Sequence, residues 1–241
     1  MRVTVFVMVV VVREVVENGA QETYPEVPET QHPDKMIVRR GWAVPSNTND
    51  KTSAILSSAC SCQSRCLVHP SCAAWAAVPS GDSVTCTTTT AAPDTMTLEG
   101  NPDSVYGFKI GKLDSRIGVL EDIDSTVYFS PTNDMRFQEG KDHCARIPGF
   151  NLIMLKTERH FSLMPFFSKN VKQGFINLQK TDSGRLQWGD GSFMTDEEIE
   201  KHVVKSTSTP LYQVHEGMIR EFSNENDTRP FLCQGRILGT W

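Results

Sequence analysis

The sequence has no excess of positive charge and no long apolar run, and each absence removes a class of function. Its 24 Lys and Arg residues are outnumbered by 29 Asp and Glu residues, for a formal net charge of −5. The broad basic field that favours nucleic-acid binding is therefore missing. The longest run of apolar or Thr residues, from Val3 to Val12, is too short for a membrane span, because a transmembrane helix needs roughly 20 apolar residues. We expect neither a nucleic-acid partner nor a membrane span.

The sequence also lacks the short motifs of common catalytic sites. It has no Gly-x-Ser-x-Gly turn for a nucleophile and no glycine-rich loop for a phosphate. His160, His202 and His215 stand alone in the sequence, and we interpret each as an ordinary surface or half-buried side chain. The sequence therefore predicts a protein that is not an enzyme.

The apolar run near the N-terminus has the length of a signal-peptide core. Gly19 and Ala20 suggest cleavage near Gln21, so residues 1–20 are predicted to be a signal peptide. The alternative is a buried strand of a cytosolic protein, since valine-rich runs also form strands. Residues 21–37 are acidic, contain prolines and show no apolar period, which predicts a linker. We expect a secreted, extracellular protein.

Cysteines are few but crowded, with five of the seven between Cys60 and Cys86. Dense cysteines in an exported chain indicate disulfides on a small domain. Zinc is the alternative, but structural zinc sites prefer two close cysteine pairs, and the spacing of Cys62, Cys66 and Cys72 does not fit. Because seven is odd, at least one thiol is left over.

The chain divides near residue 115, and its first part carries strand and helix patterns. Residues 37–44 partly alternate and predict a strand, and residues 72–78 and 84–90 predict two more. Residues 53–70 predict a helix, with Ile55, Ala59, Cys62 and Cys66 at helical spacing. Residues 85–97 are rich in threonine; we interpret them as a strand leading into a loop, with O-linked sugar as the alternative.

This segment, residues 38–112, resembles an apple or PAN-type domain, in which a helix carries two cysteines one turn apart. The matching residues are Cys62, Cys66, Cys72 with Ala74-Trp75 after it, and Cys86. The resemblance implies disulfides Cys66–Cys72 and Cys62–Cys86, and it leaves Cys60 unassigned. We expect Cys60 to form a disulfide-linked dimer if it pairs at all.

The second part contains a Trp two residues before an Asp-Gly turn, in 184-GRLQWGDGSF-193. Asp-Gly between apolar residues is a strong hairpin signal, which we expect to place both Asp190 and Gly191 at positive φ. Patterns elsewhere predict strands at 127–131 and 174–179, a helix over 135–149, and a helix capped by Thr157. Residues 111–124 resemble a linker, and 196–201 an exposed short helix or loop.

Residues 121–236 resemble a C-type lectin-like domain through three motifs in the family's order. These are Phe175-Ile176-Asn177-Leu178, then Leu186 to Gly191, then Arg229-Pro230-Phe231-Leu232-Cys233. Phe175 and Leu186 stand where the family has Trp. The signature residues are Trp188, Asp190, Gly191, Arg229, Pro230 and Phe231. The resemblance implies a Cys144–Cys233 disulfide and a buried Trp188 beneath the turn.

Calcium-dependent sugar binding through the family's usual site is disfavoured. Pro210 is the proline of the corresponding loop, and its neighbours Thr209 and Leu211 offer neither carboxylate nor amide. The strand that supplies further oxygens in the family falls at 222–224, where Asn224 alone is comparable. Calcium prefers six to eight oxygen ligands, so too few remain.

Several polar residues in this region have separate interpretations. Glu216 and Asn224 are the candidate ligand surface, whereas Glu225 and Asp227 are ordinary surface charges. Asn226-Asp227-Thr228 is an acceptor sequence for N-linked glycosylation at Asn226.

Together these patterns predict an α+β protein of two small disulfide-stapled domains, an apple/PAN-like helix-on-sheet module and a C-type lectin-like fold. The expected function is that of a secreted lectin-like recognition protein without a cofactor, which binds carbohydrate outside the usual calcium site. The alternative is an extracellular protein–protein interaction adaptor that binds no sugar.

Overall fold

The computed structural model describes residues 34–121, 125–204, 210–222, 224 and 226–237. The predicted signal peptide and most of the predicted linker lie outside these residues, as do Thr209 and Glu225. Strands and helices are mixed, with more strand than helix. Within the described chain, no helix combines the length and apolar character needed to cross a membrane.

The first part of the chain, residues 34–112 and hereafter the first module, is a five-stranded antiparallel sheet with one helix on it. Its strands have the spatial order β1-β5-β3-β4-β2. The elements are β1 Met36–Ala43, β2 Lys51–Leu56, α1 Ala59–Val68, β3 Ala74–Ser80, β4 Ser83–Thr89 and β5 Glu99–Lys109. A short 3-10 turn, Pro93–Thr95, lies before β5, and another, Ile110–Lys112, follows it.

Helix α1 packs on one face of this sheet through disulfides and a small apolar cluster. Ser58 begins the helix as its N-cap by accepting a hydrogen bond from the Ser61 amide. Disulfides Cys62–Cys86 and Cys66–Cys72 are both present. Buried Trp75 lies against Gly107, where an added Cβ would come within 2.5 Å of the indole nitrogen.

The second part, residues 119–237 and hereafter the second module, contains two four-stranded sheets. One has the order β6-β7-β13-β8 and the other β10-β9-β11-β12. The strands are β6 Val119–Glu121, β7 Thr126–Phe129, β8 Phe150–Leu152, β9 Gln173–Lys180, β10 Leu186–Trp188, β11 Leu211–His215, β12 Met218–Phe222 and β13 Cys233–Arg236. The helices are α2 Phe137–Ala145, α3 Glu158–Ser162, α4 Met164–Val171 and α5 Asp196–His202. Disulfide Cys144–Cys233 joins α2 to β13.

The two modules share one hydrophobic core. Ile37, Tyr106 and Phe108 of the first module belong to the same buried cluster as Phe129 and Phe150 of the second. The rings of Phe108 and Phe150 lie 6.2 Å apart between centroids. Since this apolar surface would face water if the modules separated, their packing against each other is part of the fold.

Polar contacts also cross the junction between the modules. Arg39 of β1 donates to the carbonyls of Pro148, at 3.0 Å, and Ile237, at 3.2 Å. Lys35 pairs with Glu121 at 2.6 Å, and the buried His143 side chain lies 3.4 Å from the buried Asp94 carboxylate.

Three local predictions are wrong. Ile55 is not on a helix: it lies on β2, paired with Thr85, and is 64% exposed, because the chain forms an edge strand before α1 begins. Residues 111–124 are not simply a linker, since β6 pairs with β7. At the Asp-Gly turn only Gly191 has a positive φ, of 88°, because the Asp190 side chain accepts hydrogen bonds from Ser192 and closes the turn differently.

Candidate ligand-binding surfaces

The Asp-Gly turn that marks the lectin-like resemblance has a structural role. Trp188 is 3% exposed and belongs to the core of the second module, as predicted. Asp190 accepts hydrogen bonds from Lys156, at 2.5 Å, and from Ser192. Burial alone would raise the pKa of Asp190, but these bonds outweigh it and lower the pKa to about 2. The carboxylate is therefore occupied in holding the turn against the segment that carries Lys156.

The last signature motif is also occupied in packing. Phe231 is fully buried, and its ring meets the face of α2 at Gly140 and His143. The Pro230 carbonyl accepts a hydrogen bond from the Phe175 amide. The Arg229 guanidinium lies 4.5 Å from the centre of the Phe222 ring and donates to Asp227.

The two residues predicted to form a ligand surface, Glu216 and Asn224, do not lie together. Glu216 is at the tip of the β11–β12 hairpin, where it pairs with Arg220 at 2.9 Å. Asn224 follows the other end of β12, a strand of five residues that spans roughly 17 Å at about 3.3 Å per residue. Its amide donates to Asp227 and its oxygen accepts from the Asn226 amide. These residues do not form one site.

The donor set implied by a calcium site does not fit the described residues here. Leu211, beside Pro210, is buried in the sheet and offers only a hydrocarbon side chain. The oxygens of Asn224 and Asp227 are directed into their own turn, while Glu216 lies at the far end of the hairpin. Among the residues that the structure describes, no three His, Cys, Asp or Glu side chains gather in a way that could hold a metal ion.

Two surface residues are accessible to covalent modification from solvent. Asn226 is exposed in a turn, with exposed Thr228 two residues on, so the acceptor sequence can be reached from solvent. Cys60 is exposed and unpaired at the start of α1. A disulfide-linked dimer through Cys60 stays a prediction.

A polar groove in the first module was not anticipated from the sequence. It has a volume of about 180 Å³ and lies between the start of β2, the end of α1 and the end of β4. Its lining residues are Asp50, Thr52, Arg65, His69, Ser71, Cys72, Thr88, Thr89 and Thr90. We name this feature the Arg65 groove.

Hydroxyl groups and two opposite charges line the Arg65 groove. The hydroxyls of Thr52 and Thr88 hydrogen-bond to each other at 2.8 Å, and Ser71 Oγ lies 2.9 Å from His69 Nδ1. The exposed guanidinium of Arg65 makes no hydrogen bond or ion pair with any described residue. Such a surface presents both hydrogen-bond donors and hydrogen-bond acceptors.

The wall that carries Arg65 and His69 is fixed from beneath. Lys109 is 1% exposed, and its ammonium donates to the carbonyls of Leu67 and His69 at 3.3 and 3.2 Å. It also pairs with Asp34 at 3.1 Å. Cys66–Cys72 closes the same segment. The end of α1 is therefore held by a disulfide and a buried cation.

Two further cavities lie in the described chain. A more open groove of about 520 Å³ is lined by the loop before β2 and the segment before β5, and it includes Asn47, Asn49, Thr97 and Glu99 but no cationic side chain. A void of about 10 Å³ in the second module is lined almost entirely by apolar side chains such as Phe167 and Val214, which is too small for a ligand.

Two comparisons with known proteins were negative. No protein-family model matches the chain, and no curated protein matches it significantly.

Proposed function

We propose that this chain is a secreted recognition protein that binds carbohydrate, and that it does so in the first module without the lectin family's usual calcium site. The observation that carries the proposal is the lining of the Arg65 groove by hydroxyls, an imidazole, a carboxylate and a guanidinium. Sugars are recognised by side chains of this kind, because each sugar hydroxyl both donates and accepts hydrogen bonds.

Three features of the chain are compatible with an extracellular role. Three disulfides close the two modules, and disulfides persist in oxidising compartments. The glycosylation acceptor at Asn226 is exposed. The N-terminal apolar run has the length of a signal-peptide core.

The test is a glycan array probed with the full chain, with and without a chelator. We expect binding that persists in chelator. A Thr90→Trp variant, which fills the Arg65 groove, should lose binding, while Thr97→Trp, which places the same bulk in the neighbouring groove, should keep it. Both threonines are exposed, so neither change disturbs the core.

The outcomes separate the alternatives. Binding that chelator abolishes would contradict the proposal and return the site to the loop around Pro210. Loss with Thr97→Trp but not Thr90→Trp would move the site to the neighbouring groove. No glycan bound by the wild-type chain would favour the protein–protein adaptor instead.

A further inference from the structure

The charges of the Arg65 groove are opposite, yet they do not neutralise each other. Asp50 and Arg65 line the same groove, but no ion pair within 4.0 Å joins them or links either to another described residue. Exposed ion pairs contribute little stability in water, so neither charged group is drawn away from solvent by the other. The groove therefore keeps one acceptor group and one fork of donors available to a ligand.

The two charged groups select different parts of a ligand. The planar guanidinium of an Arg matches a carboxylate with two parallel hydrogen bonds, which is the strongest arrangement available to it. A carboxylate such as that of Asp50 accepts hydrogen bonds from hydroxyl groups. A small ligand that binds both Arg65 and Asp50 therefore carries a carboxylate and hydroxyl groups.

The remaining lining favours further hydroxyls on that ligand. Thr52, Ser71, Thr88 and Thr90 contribute four hydroxyl groups. Although Thr52 bonds to Thr88 and Ser71 lies beside His69, a hydroxyl oxygen has two lone pairs, so each of these oxygens can still accept a hydrogen bond. The volume of about 180 Å³ accommodates a single sugar ring. A polyhydroxylated ligand matches this lining better than an amino acid does. The amino and carboxyl groups of an amino acid could pair with Asp50 and Arg65, but its backbone offers no hydroxyl groups to the rest of the lining.

The groove is also held in shape before a ligand arrives. Lys109 and the Cys66–Cys72 disulfide fix the end of α1, and β2 and β4 are hydrogen-bonded along their length. Because this wall is already ordered in the free protein, ligand binding costs little further conformational entropy.

From these observations we infer that the Arg65 groove binds an acidic sugar residue of the hexuronic acid class, with its carboxylate on Arg65 and its hydroxyls on Asp50 and the threonines. This inference rests on the proposed function and adds the class of sugar. It concerns recognition only, and no bond is made or broken.

The experiment measures binding of three small probes to the full chain by nuclear magnetic resonance titration. The probes are glucuronic acid, glucose and glucose 6-sulfate, which share a ring and differ at one carbon. We expect glucuronic acid to bind at least tenfold more tightly than glucose. Arg65→Gln should weaken glucuronic acid at least tenfold and leave glucose nearly unchanged, whereas Asp50→Asn should weaken both sugars.

Arg40→Gln is the matched control, because Arg40 is an exposed arginine of the same module that does not line the groove. It should leave all three affinities unchanged. Glucose bound as tightly as glucuronic acid, or an Arg65→Gln variant with unchanged affinity, would overturn the inference while leaving the proposed function intact. If glucose 6-sulfate binds more tightly than glucuronic acid, the inference that Arg65 binds a carboxylate is overturned. If none of the three probes binds, the inference is overturned, and the glycan array alone decides the proposed function.

Discussion

Gly189 is the glycine of the second module at which an added Cβ would meet its neighbour most closely. A Cβ added there would lie 1.9 Å from the Asn177 amide nitrogen, and Asn177 is buried with only 4% exposure. The backbones of the two residues are also joined, since the Gly189 amide donates to the Asn177 carbonyl at 2.9 Å. The turn beside Trp188 therefore approaches β9 closely enough that only glycine fits.

We expect Gly189→Ala to lower the free energy of unfolding by about 1–3 kcal/mol, because the buried Asn177 side chain would have to shift within a packed interior. Urea denaturation of the purified chain measures this. Gly100→Ala is the control: nothing lies within 4 Å of its added Cβ, so its stability should be nearly that of wild type. Equal stability of the two variants would contradict the close approach.

Helix α5 is fixed to the second module by an aromatic stack at its C-terminal end. The His202 ring lies on the Phe161 ring of α3, with centroids 3.9 Å apart and planes 9° from parallel. Burial, reinforced by the charge of Lys201, lowers the pKa of His202, although the carboxylates of Glu158 and Glu198 act in the opposite direction. The His202 imidazole is therefore neutral when α5 packs against α3.

This lowered pKa makes α5 sensitive to acid. The unfolded chain binds a proton at His202 as pH falls through about 6.5, whereas the folded chain resists it, so stability is lost as pH falls below that value. One proton limits the slope to about 1.4 kcal/mol per pH unit. His202→Phe keeps the stack without titrating and should reduce the loss of stability between pH 7.5 and 5.5.

Urea midpoints of both proteins at several pH values provide the measurement. His69→Phe is the matched control, since His69 is exposed, and its pH dependence should follow that of wild type. Parallel curves for His202→Phe and wild type would show that another group carries the acid sensitivity.

At the scale of the whole molecule, the two modules depend on each other. Phe150 of the second module contacts both Phe108 of the first and Phe129 of its own module, with ring centroids 6.2 and 5.9 Å apart. Arg39 and Lys35 add polar contacts across the same junction. We expect the chain to unfold as one cooperative unit.

Phe150→Ala should therefore destabilise both modules together, by about 3–5 kcal/mol. Hydrogen exchange of the amides of β3 and β9 reports each module separately, and both should lose protection to the same extent. Phe193→Ala, at a site that is 40% exposed, should change neither strand appreciably. Unchanged protection of β3 in Phe150→Ala would show that the first module folds independently.

Much of the local structure follows from the sequence. Predicted strands at 37–44, 72–78, 84–90 and 174–179 are confirmed within a few residues, and Thr157 caps α3 by accepting from the His160 amide. The three disulfides are the pairs that the family resemblances imply. The strands and the cap depend on neighbours in the chain, which a sequence displays directly, whereas the disulfide pairs were implied by the resemblances.

The candidate site is different, because it exists only after folding. Pairing of β2 with β4, together with the packing of α1, brings Asp50, Arg65 and Thr88 to one groove, although up to 38 positions separate them in the sequence. The same folding separates Glu216 from Asn224, which are eight positions apart, because β12 is extended between them. The sequence by itself determined several strands and the Thr157 cap, and the family resemblance implied the buried Trp188. Only the tertiary structure decided which polar side chains meet, since that depends on strand pairing between distant segments and not on local periodicity.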